Sequence, residues 1–333
     1  MPLRGNKKKM AIAGAGIAGA YLYRRLRKAW HEIDIFDVEH GIKCGITPCA
    51  WGTSKGFNEF VAAAGLDPEA YILRQIDHLL MDEVRIEAEL MTFDKPRLVK
   101  DMLKGAEIKH SHLDVEKYDR VVDATGVSRA FLPAIEDDII LECMQRRVET
   151  HEILENQIKL GAIGYAWCFP LSDHVYHIGC GSLTRDPRAI MGELGWFGKT
   201  PSQHCKTVIC GCTGKVRLTA PHYSRPFVTG HAADGVWGVG EAIGCVAPLA
   251  GDGVVPGMRS VEILINNWDD PDGYTEAILK EFNWMKRERK VIDKLIRMKY
   301  LGINDAWVLK KNSRRMGMQI GFREATMLMK NLR

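Results

Sequence analysis

The run Gly14-Ala15-Gly16-Ile17-Ala18-Gly19 constrains this chain more than any other feature. It has the spacing G-x-G-x-x-G, follows an apolar stretch that reads as a strand over 9–13, and opens a helical pattern over 20–30. A second strand over 33–37 ends on Asp37, 18 residues after Gly19, with Val38 beside it. The parts divide the work of holding a dinucleotide. Gly14 makes the tight turn, Gly16 lets the backbone approach a pyrophosphate, and Gly19 lets helix and strand pack closely. The helix N-terminus then faces the phosphate charge and Asp37 reaches ribose hydroxyls. The bland alternative, a glycine-rich strand–helix turn without a ligand, does not explain why spacing and context agree. The fingerprint alone does not separate NAD from FAD. No second fingerprint of this kind follows, so the sequence offers no separate nicotinamide domain.

The chain has 333 residues, 46% hydrophobic and 26% charged. That is enough for one large or two ordinary domains with a sizeable core, and it excludes global disorder. Formal charge is only +4, but it is unevenly spread. Residues 280–333 hold 15 Lys/Arg against 5 Asp/Glu, so the rest of the chain is net acidic. Such a tail suits an acidic partner, nucleic acid or an anionic membrane surface, and its bland reading is a solvated amphipathic helix. Nothing else in the sequence points to nucleic acid. No run reaches the ~20 apolar residues that span a bilayer. Lys7, Lys8 and Lys9 precede an apolar run as in a signal peptide, but that run is short, glycine-rich and ends at Arg24-Arg25, so a buried first strand is the better reading. Nine scattered cysteines without a secretory signal imply reduced thiols and a cytoplasmic setting.

Further elements follow from periodicity and punctuation. Helices are expected over 58–64 and 96–104, and a buried strand over 120–124 ends in Thr125-Gly126. Strand patterns over 139–147, 158–167 and 175–181 suggest an antiparallel sheet inserted into the dinucleotide fold. A buried strand over 235–240 returns to that fold, followed by a loop and a helix over 255–267, and residues 274–300 read as one charged helix. The expected architecture is α/β. A Rossmann-type domain comprises residues 1–135 and 213–270, an antiparallel substrate sheet 136–212, and a basic helical region 271–333.

The most informative segment after the fingerprint is Gly238-Val-Gly240-Glu241-Ala-Ile-Gly244-Cys245-Val-Ala-Pro248-Leu-Ala-Gly251-Asp-Gly253-Val254-Val255. It reads as strand, acidic turn, proline/glycine loop and helix start. Glu241 suits a ribose or ribityl hydroxyl. Backbone N–H groups near Gly253, Val254 and Val255, at a helix N-terminus, suit the negative charge that a reduced flavin carries.

With these segments together the sequence resembles the geranylgeranyl reductases, FAD flavoproteins of the para-hydroxybenzoate hydroxylase fold. Four separated matches carry the resemblance: Gly14 to Gly19 with Asp37; Asp123-Ala124-Thr125-Gly126 with Ser128-Arg129; Gly240-Glu241 with Pro248, Gly251 and Gly253; and Tyr165-Ala-Trp167-Cys168-Phe169-Pro170, similar to the reductase Y-x-W-x-F-P signature. The first three are shared widely among related flavoproteins, and the fourth is specific to the reductases. Tyr165, Trp167 and Phe169 alternate, so on a strand they share a face that ends at Pro170, an apolar wall suited to an isoprenoid chain. The alternative is an aromatic stripe packed in a sheet core.

The resemblance implies FAD as cofactor, with Cys49 and Ala50 in the loop beside the flavin and Ala124, Thr125 and Gly126 beside its adenosine half. It implies reduction of isoprenoid carbon–carbon double bonds, with NAD(P)H, ferredoxin or a reduced deazaflavin as electron donor. Tyr165 and Cys49 are the expected proton sources, and the basic tail suits peripheral contact with anionic lipid. A redox pair between Cys49 and Cys245 is a further reading, set against two inert buried thiols. The sequence departs from the family before Phe93-Asp94, where Leu90, Met91 and Thr92 replace the usual arginine. The alternative activity is an FAD monooxygenase of an aromatic or quinone-like substrate, and the non-enzymatic one is a flavin-binding scaffold or sensor. No metal is expected: His204-Cys205 with Cys210 and Cys212 lacks tetrahedral spacing.

Overall fold

An apolar strand without a polar face must be covered on both sides, and residues 10–13 are all buried in this way. The architecture comes from a computed structural model, which describes residues 9–29, 32–39, 49–161, 163–193, 205–230 and 235–332. The strands in chain order are β1 (Lys9–Ala13), β2 (Glu32–Phe36), β3 (Gly52–Thr53), β4 (Ile72–Met81), β5 (Val84–Phe93), β6 (Ile108–Lys109), β7 (Arg120–Asp123), β8 (Ile140–Thr150), β9 (Gln157–Gly161), β10 (Gly164–Pro170), β11 (Val175–Ser182), β12 (Cys205–Arg217), β13 (Val228–Thr229), β14 (Val236–Gly238) and β15 (Met318–Gln319). The helices are α1 (Ile17–Leu26), α2 (Phe57–Ala63), α3 (Lys95–Met102), α4 (Pro187–Glu193), α5 (Val254–Asn266), α6 (Pro271–Glu281), α7 (Asn283–Ile296), α8 (Ile303–Ser313) and α9 (Phe322–Leu328).

Two sheets organise these elements. The first has the order β13-β14-β7-β1-β2-β6 and is parallel except for the β13–β14 edge. Its core joins Met10 and Ile12 of β1 and Val122 of β7 to Tyr21 and Leu22 of α1, Leu98 and Met102 of α3, and Val261 and Leu264 of α5. Arg120, buried at the start of β7, lies between the Trp237 and Trp268 rings at 4.7 and 4.4 Å. Its guanidinium donates to the Trp268 carbonyl at 2.5 Å, tying the sheet to the end of α5.

The second sheet runs β12-β8-β11-β10-β9-β4-β5-β15, with β3 also paired to β5. It is antiparallel except for β4 with β9. One face carries Ala166, Cys168, Ile178, Cys180 and Val148 and packs with Ile190 and Met191 of α4. The other carries Tyr165, Trp167 and Phe169, level with Gly181, Gly179 and His177 of β11 and Cys143, Gln145 and Arg147 of β8. The C-terminal helices close the far end, where Met316, Met318, Ala325 and Leu328 pack with Leu79 and Ile86 of the β4–β5 hairpin.

Several expected boundaries shift for physical reasons. Helix α1 begins at Ile17, inside the glycine motif rather than after it. The stretch expected as one strand over 158–167 is a hairpin, because Ile163 turns with φ +47° between β9 and β10. The single helix expected over 274–300 is two, broken at Phe282, whose buried ring anchors the junction. Helix α3 starts one residue early because the Asp94 carboxylate accepts the Arg97 N–H and caps it. Strands β3, β4 and β5 lie within 1–135 in sequence but hydrogen-bond into the second sheet, and β12 continues past residue 212 to Arg217.

Candidate active site

The nucleotide end is built by the β1–α1 turn. Gly14 has φ +101°, and a Cβ there would overlap the Ala124 carbonyl. A Cβ on Gly16 would meet nothing within 4 Å, so open space lies over the second glycine. Helix α1 has no side-chain cap and no acid in its first turn. The N–H groups of its first turn therefore lack intrahelical acceptors. Space, orphan donors and helix dipole together fit a pyrophosphate. Asp37 follows β2, its carboxylate accepts the Val38 N–H at 2.9 Å, and Val38 is exposed.

The 123–126 turn is held from beneath. The buried Asp123 carboxylate accepts the Thr125 N–H at 3.0 Å, the Thr125 hydroxyl at 2.6 Å and the Phe131 N–H at 2.9 Å. Asp123 therefore shapes the turn, and Ala124, Thr125 and Gly126 present it. Two arginines join this turn to the Gly240-Glu241 turn. Arg217, at the end of β12, donates to the carbonyls of Gly126 at 3.2 Å, Val127 at 2.7 Å and Glu241 at 2.8 Å, and pairs with Asp138 at 3.0 Å. Its own N–H donates to the Glu241 carboxylate at 2.7 Å. Arg129, buried with φ +46°, donates to the carbonyls of Pro133, Ala242 and Pro226. Burial pushes the Glu241 carboxyl up, against the pull of Arg217 and Lys95. Lys95 is itself buried at the start of α3, directly after Phe93-Asp94, and places a cation near the site where the family's arginine is missing.

The loop from Cys245 to Gly253 is fastened by three side chains from elsewhere. Tyr165 of β10 donates its hydroxyl to the Ala250 carbonyl at 2.6 Å. Ser54 donates to the Asp252 carboxylate at 3.0 Å, and Asp252 in turn accepts the Val254 N–H at 2.8 Å. The buried Glu288 of α7 accepts the Leu249 N–H at 3.2 Å. Burial pushes the Asp252 carboxyl up to about 6 and the Glu288 carboxyl up to about 7. Gly251 has φ +67°, and a Cβ there would overlap the Tyr165 hydroxyl, so only glycine admits this contact. Pro248 is buried in the same loop, and Gly253, without a side-chain cap, opens α5 at Val254 and Val255. Asp252 takes the Val254 N–H and Pro256 has none, so the Val255 N–H is the donor of the first turn of α5 that can face an anionic ring edge.

The aromatic residues do share one face of β10, and each is also engaged by the protein. Trp167 is buried and lies over Gly179 against Gln145, Phe169 touches Gly52, and Tyr165 holds Ala250. Pro170 ends the strand, and its carbonyl accepts the Thr92 hydroxyl at 2.6 Å. Residues 49–53 cross this face as a strap. The Gln145 amide donates to the Cys49 carbonyl at 2.8 Å, and His177 Nδ1 lies 3.0 Å from the Ala50 carbonyl. Burial lowers His177 to about 4, so the ring is neutral with Nδ1 protonated toward Ala50. Its Nε2, Gln145 Oε1 and Trp167 Nε1 are buried without a protein partner, so the wall carries a polar row that sequence reading missed.

Cys49 and Cys245 are both free thiols. Cys245 is buried in the core of the first sheet, and burial pushes its thiol well up. Cys49 is half-buried in the strap, and its Sγ accepts the Trp51 N–H at 3.3 Å. Cys44, His204 and the side chain of Cys205 lie outside the described residues. Cys210 and Cys212 lie on β12, level with Arg147 and Gln145.

Two consequences are measurable. In Gly251→Ala the new methyl displaces the Tyr165 hydroxyl, and urea denaturation should show a loss of about 1–3 kcal/mol. Repeating the change in a Tyr165→Phe background should cost less, because the overlapped atom is gone; an equal cost in both backgrounds contradicts the contact. The second concerns pH. Glu288 is raised in the folded chain relative to the unfolded one, so folding favours its protonated form and its ionisation lowers stability as pH rises toward about 7. Glu288→Gln keeps an acceptor for Leu249 and removes that penalty. It should match the wild type near pH 4 and exceed it by on the order of 1–3 kcal/mol at pH 8.

Comparison with known proteins places this arrangement. No protein-family model matches the chain. An uncharacterized protein of Methanocaldococcus jannaschii is 25% identical over 344 residues, covering 85% of this chain and 91% of that one. A geranylgeranyl bacteriochlorophyll reductase-like protein of Thermoplasma acidophilum superposes with TM-score 0.68 and 17% identity, covering 98% of this chain and 95% of that one. A tryptophan 6-halogenase of Streptomyces toxytricini gives TM-score 0.66 and 13% identity over 98% and 91%. A flavoprotein/dehydrogenase of Cytophaga hutchinsonii gives 0.64 and 11% over 98% and 92%. The chain thus has the Rossmann-type flavoprotein fold of these neighbours, a parallel nucleotide sheet joined to a large antiparallel one.

Proposed function

We propose that this chain is an FAD-dependent oxidoreductase that saturates carbon–carbon double bonds of isoprenoid, geranylgeranyl-type chains. The observation that carries the reading is the bond between Tyr165 and Ala250. It sets the face bearing Tyr165, Trp167 and Phe169 directly against the loop whose N–H groups suit a flavin. The open cradle over Gly16, the Glu241 carboxylate and the Val255 N–H at the start of α5 suit the three parts of FAD, namely pyrophosphate, ribityl or ribose hydroxyls and ring. When bound and reduced, FAD supplies the hydride.

The chain supplies the rest. An unactivated alkene offers no carbonyl to stabilise charge, so the site works by alignment and by excluding water. Tyr165, Trp167 and Phe169 form the apolar side of that space. Of the two proton sources, the Tyr165 hydroxyl donates a hydrogen bond to the Ala250 carbonyl and burial raises its pKa far above the ordinary value, so it is a weak acid that positions the loop. Cys49, half-buried in the strap, is the better donor to the second alkene carbon. The electron donor is drawn from NAD(P)H, ferredoxin and reduced deazaflavin.

The polar row of Gln145, His177 and Trp167 favours a second reading. Three buried groups without protein partners suit a substrate bearing its own donors and acceptors, as an aromatic or quinone-like molecule does, and a monooxygenase would use it. A peptidyl tryptophan dihydroxylase and halogenases share the fold.

The test is spectroscopic. Protein reconstituted with FAD is bleached by dithionite without oxygen, then given a geranylgeranyl lipid. Return of the flavin bands with the lipid, slowed at least tenfold in Cys49→Ser, supports the reductase. Bands that return only with oxygen transfer the weight to the monooxygenase. A protein that takes up no FAD overturns both.

A further inference from the structure

The loop that suits the flavin ring carries a negative charge of its own. From Ala242 to Pro248 the chain is buried, and from Leu249 to Gly253 it is partly accessible, so the second stretch is the part a ring can meet. Asp252 lies there, half-buried, with its carboxylate bound at the start of α5. One oxygen, Oδ1, accepts the Val254 N–H at 2.8 Å, and the other, Oδ2, accepts the Ser54 hydroxyl at 3.0 Å. Both donors are neutral, and no Lys, Arg or His pairs with Asp252 among the described residues. Tyr165 of β10, which reaches the loop at Ala250, is held neutral by burial. Glu288 of α7 holds the other end of the loop at Leu249. Lys55, beside Ser54, is taken by Glu89 at 3.3 Å.

The Val255 N–H, next to the one that Asp252 occupies, is the donor left for the anionic edge of a reduced ring. Reduction therefore brings a second negative charge to a helix end where Asp252 already places one, and no cation lies between them. Like charges this close disfavour the ionised form of one group, as in paired carboxylates.

The carboxyl is built to be that group. Its Oδ1 faces a peptide N–H, which only donates. Its Oδ2 faces a hydroxyl, which donates to a carboxylate and accepts from a carboxylic acid. A proton on Oδ2 needs only the Ser54 hydroxyl hydrogen to rotate, with no heavy atom moved. Loss of surrounding water has already pushed the Asp252 carboxyl up to about 6, so a modest further push carries it across neutral pH.

We propose that Asp252 takes up a proton when the flavin is reduced and returns it when the flavin is reoxidised. Each reduction then consumes two electrons from the electron donor, one proton that joins the ring, and one proton from solvent that adds to Asp252 Oδ2. This role rests on the FAD reading of the site and is independent of the substrate.

The test is the midpoint potential of the FAD-loaded protein, titrated with dithionite without oxygen from about pH 5 to about pH 8 in wild type and Asp252→Asn. Asparagine keeps an acceptor for Val254 and a donor for Ser54, and copies the protonated form without its titration. Ionised Asp252 opposes the charge of the reduced ring, so it lowers the potential. Below about pH 6 the two potentials should run parallel. Above it the wild type should fall away from the variant by about 30 mV per pH unit, the equivalent of one more proton for two electrons. Infrared difference spectra of the wild type above that pH should gain the C=O stretch of a protonated carboxyl on reduction. Ser54→Ala should shift that band, because the acid loses its acceptor. FAD uptake with parallel potentials throughout, or with no carboxyl band gained, overturns this role alone. A chain that takes up no FAD overturns the functional reading and this role with it.

Discussion

Much of the site depends on one guanidinium. Arg217 stands at the end of the second sheet's outermost strand and reaches carbonyls of two turns that extend from neighbouring strands of the first sheet. Its charge is matched by Asp138 and its backbone N–H by the Glu241 carboxylate. Removing one partner of a buried charged network typically costs about 3–5 kcal/mol, because the remaining polar groups stay buried and unpaired. Arg217 therefore adds a charged tie between two turns separated by more than a hundred residues, whose strands already pair side by side. Arg129 repeats the arrangement a few residues away and holds Ala242 behind the same turn.

The other end of the site is fixed by weaker, more adjustable contacts. The loop from Cys245 to Gly253 takes its shape from a tyrosine hydroxyl, a serine hydroxyl and a buried glutamate. Two of its fastenings use carboxyls that burial has brought into the range where they change charge near neutrality. The rigid end suits a nucleotide that is held throughout. The adjustable end lies where a reacting ring and a substrate would have to meet.

Sequence pattern revealed the β1–α1–β2 unit of the first sheet because its signals are local. Glycines at fixed spacing, a fully apolar strand and a terminal acid lie within thirty residues. The alternation of Tyr165, Trp167 and Phe169 also read correctly as one face, although their packing against Gly179, Gly52 and Ala250 did not. The second strand of the β4–β5 hairpin carries a legible alternation, Val84, Ile86, Ala88 and Leu90 against Arg85, Glu87 and Glu89. Arg217 and Lys95 carried no such signal. A lone cation acquires its role only when distant carbonyls and carboxylates fold around it. The same holds for the polar row, since Gln145, Trp167 and His177 become neighbours only through antiparallel register.

The central claim is that the turns joined by Arg217 and the loop held by Tyr165 form one continuous FAD site. The measurement that tests it most directly is a crystal structure of the chain grown with FAD. The account predicts the pyrophosphate over Gly16, a ribose at Asp37, and the ring between the end of the 247–253 loop and the face of Tyr165 and Trp167. A flavin bound elsewhere, or a ring turned away from that strand, would contradict it.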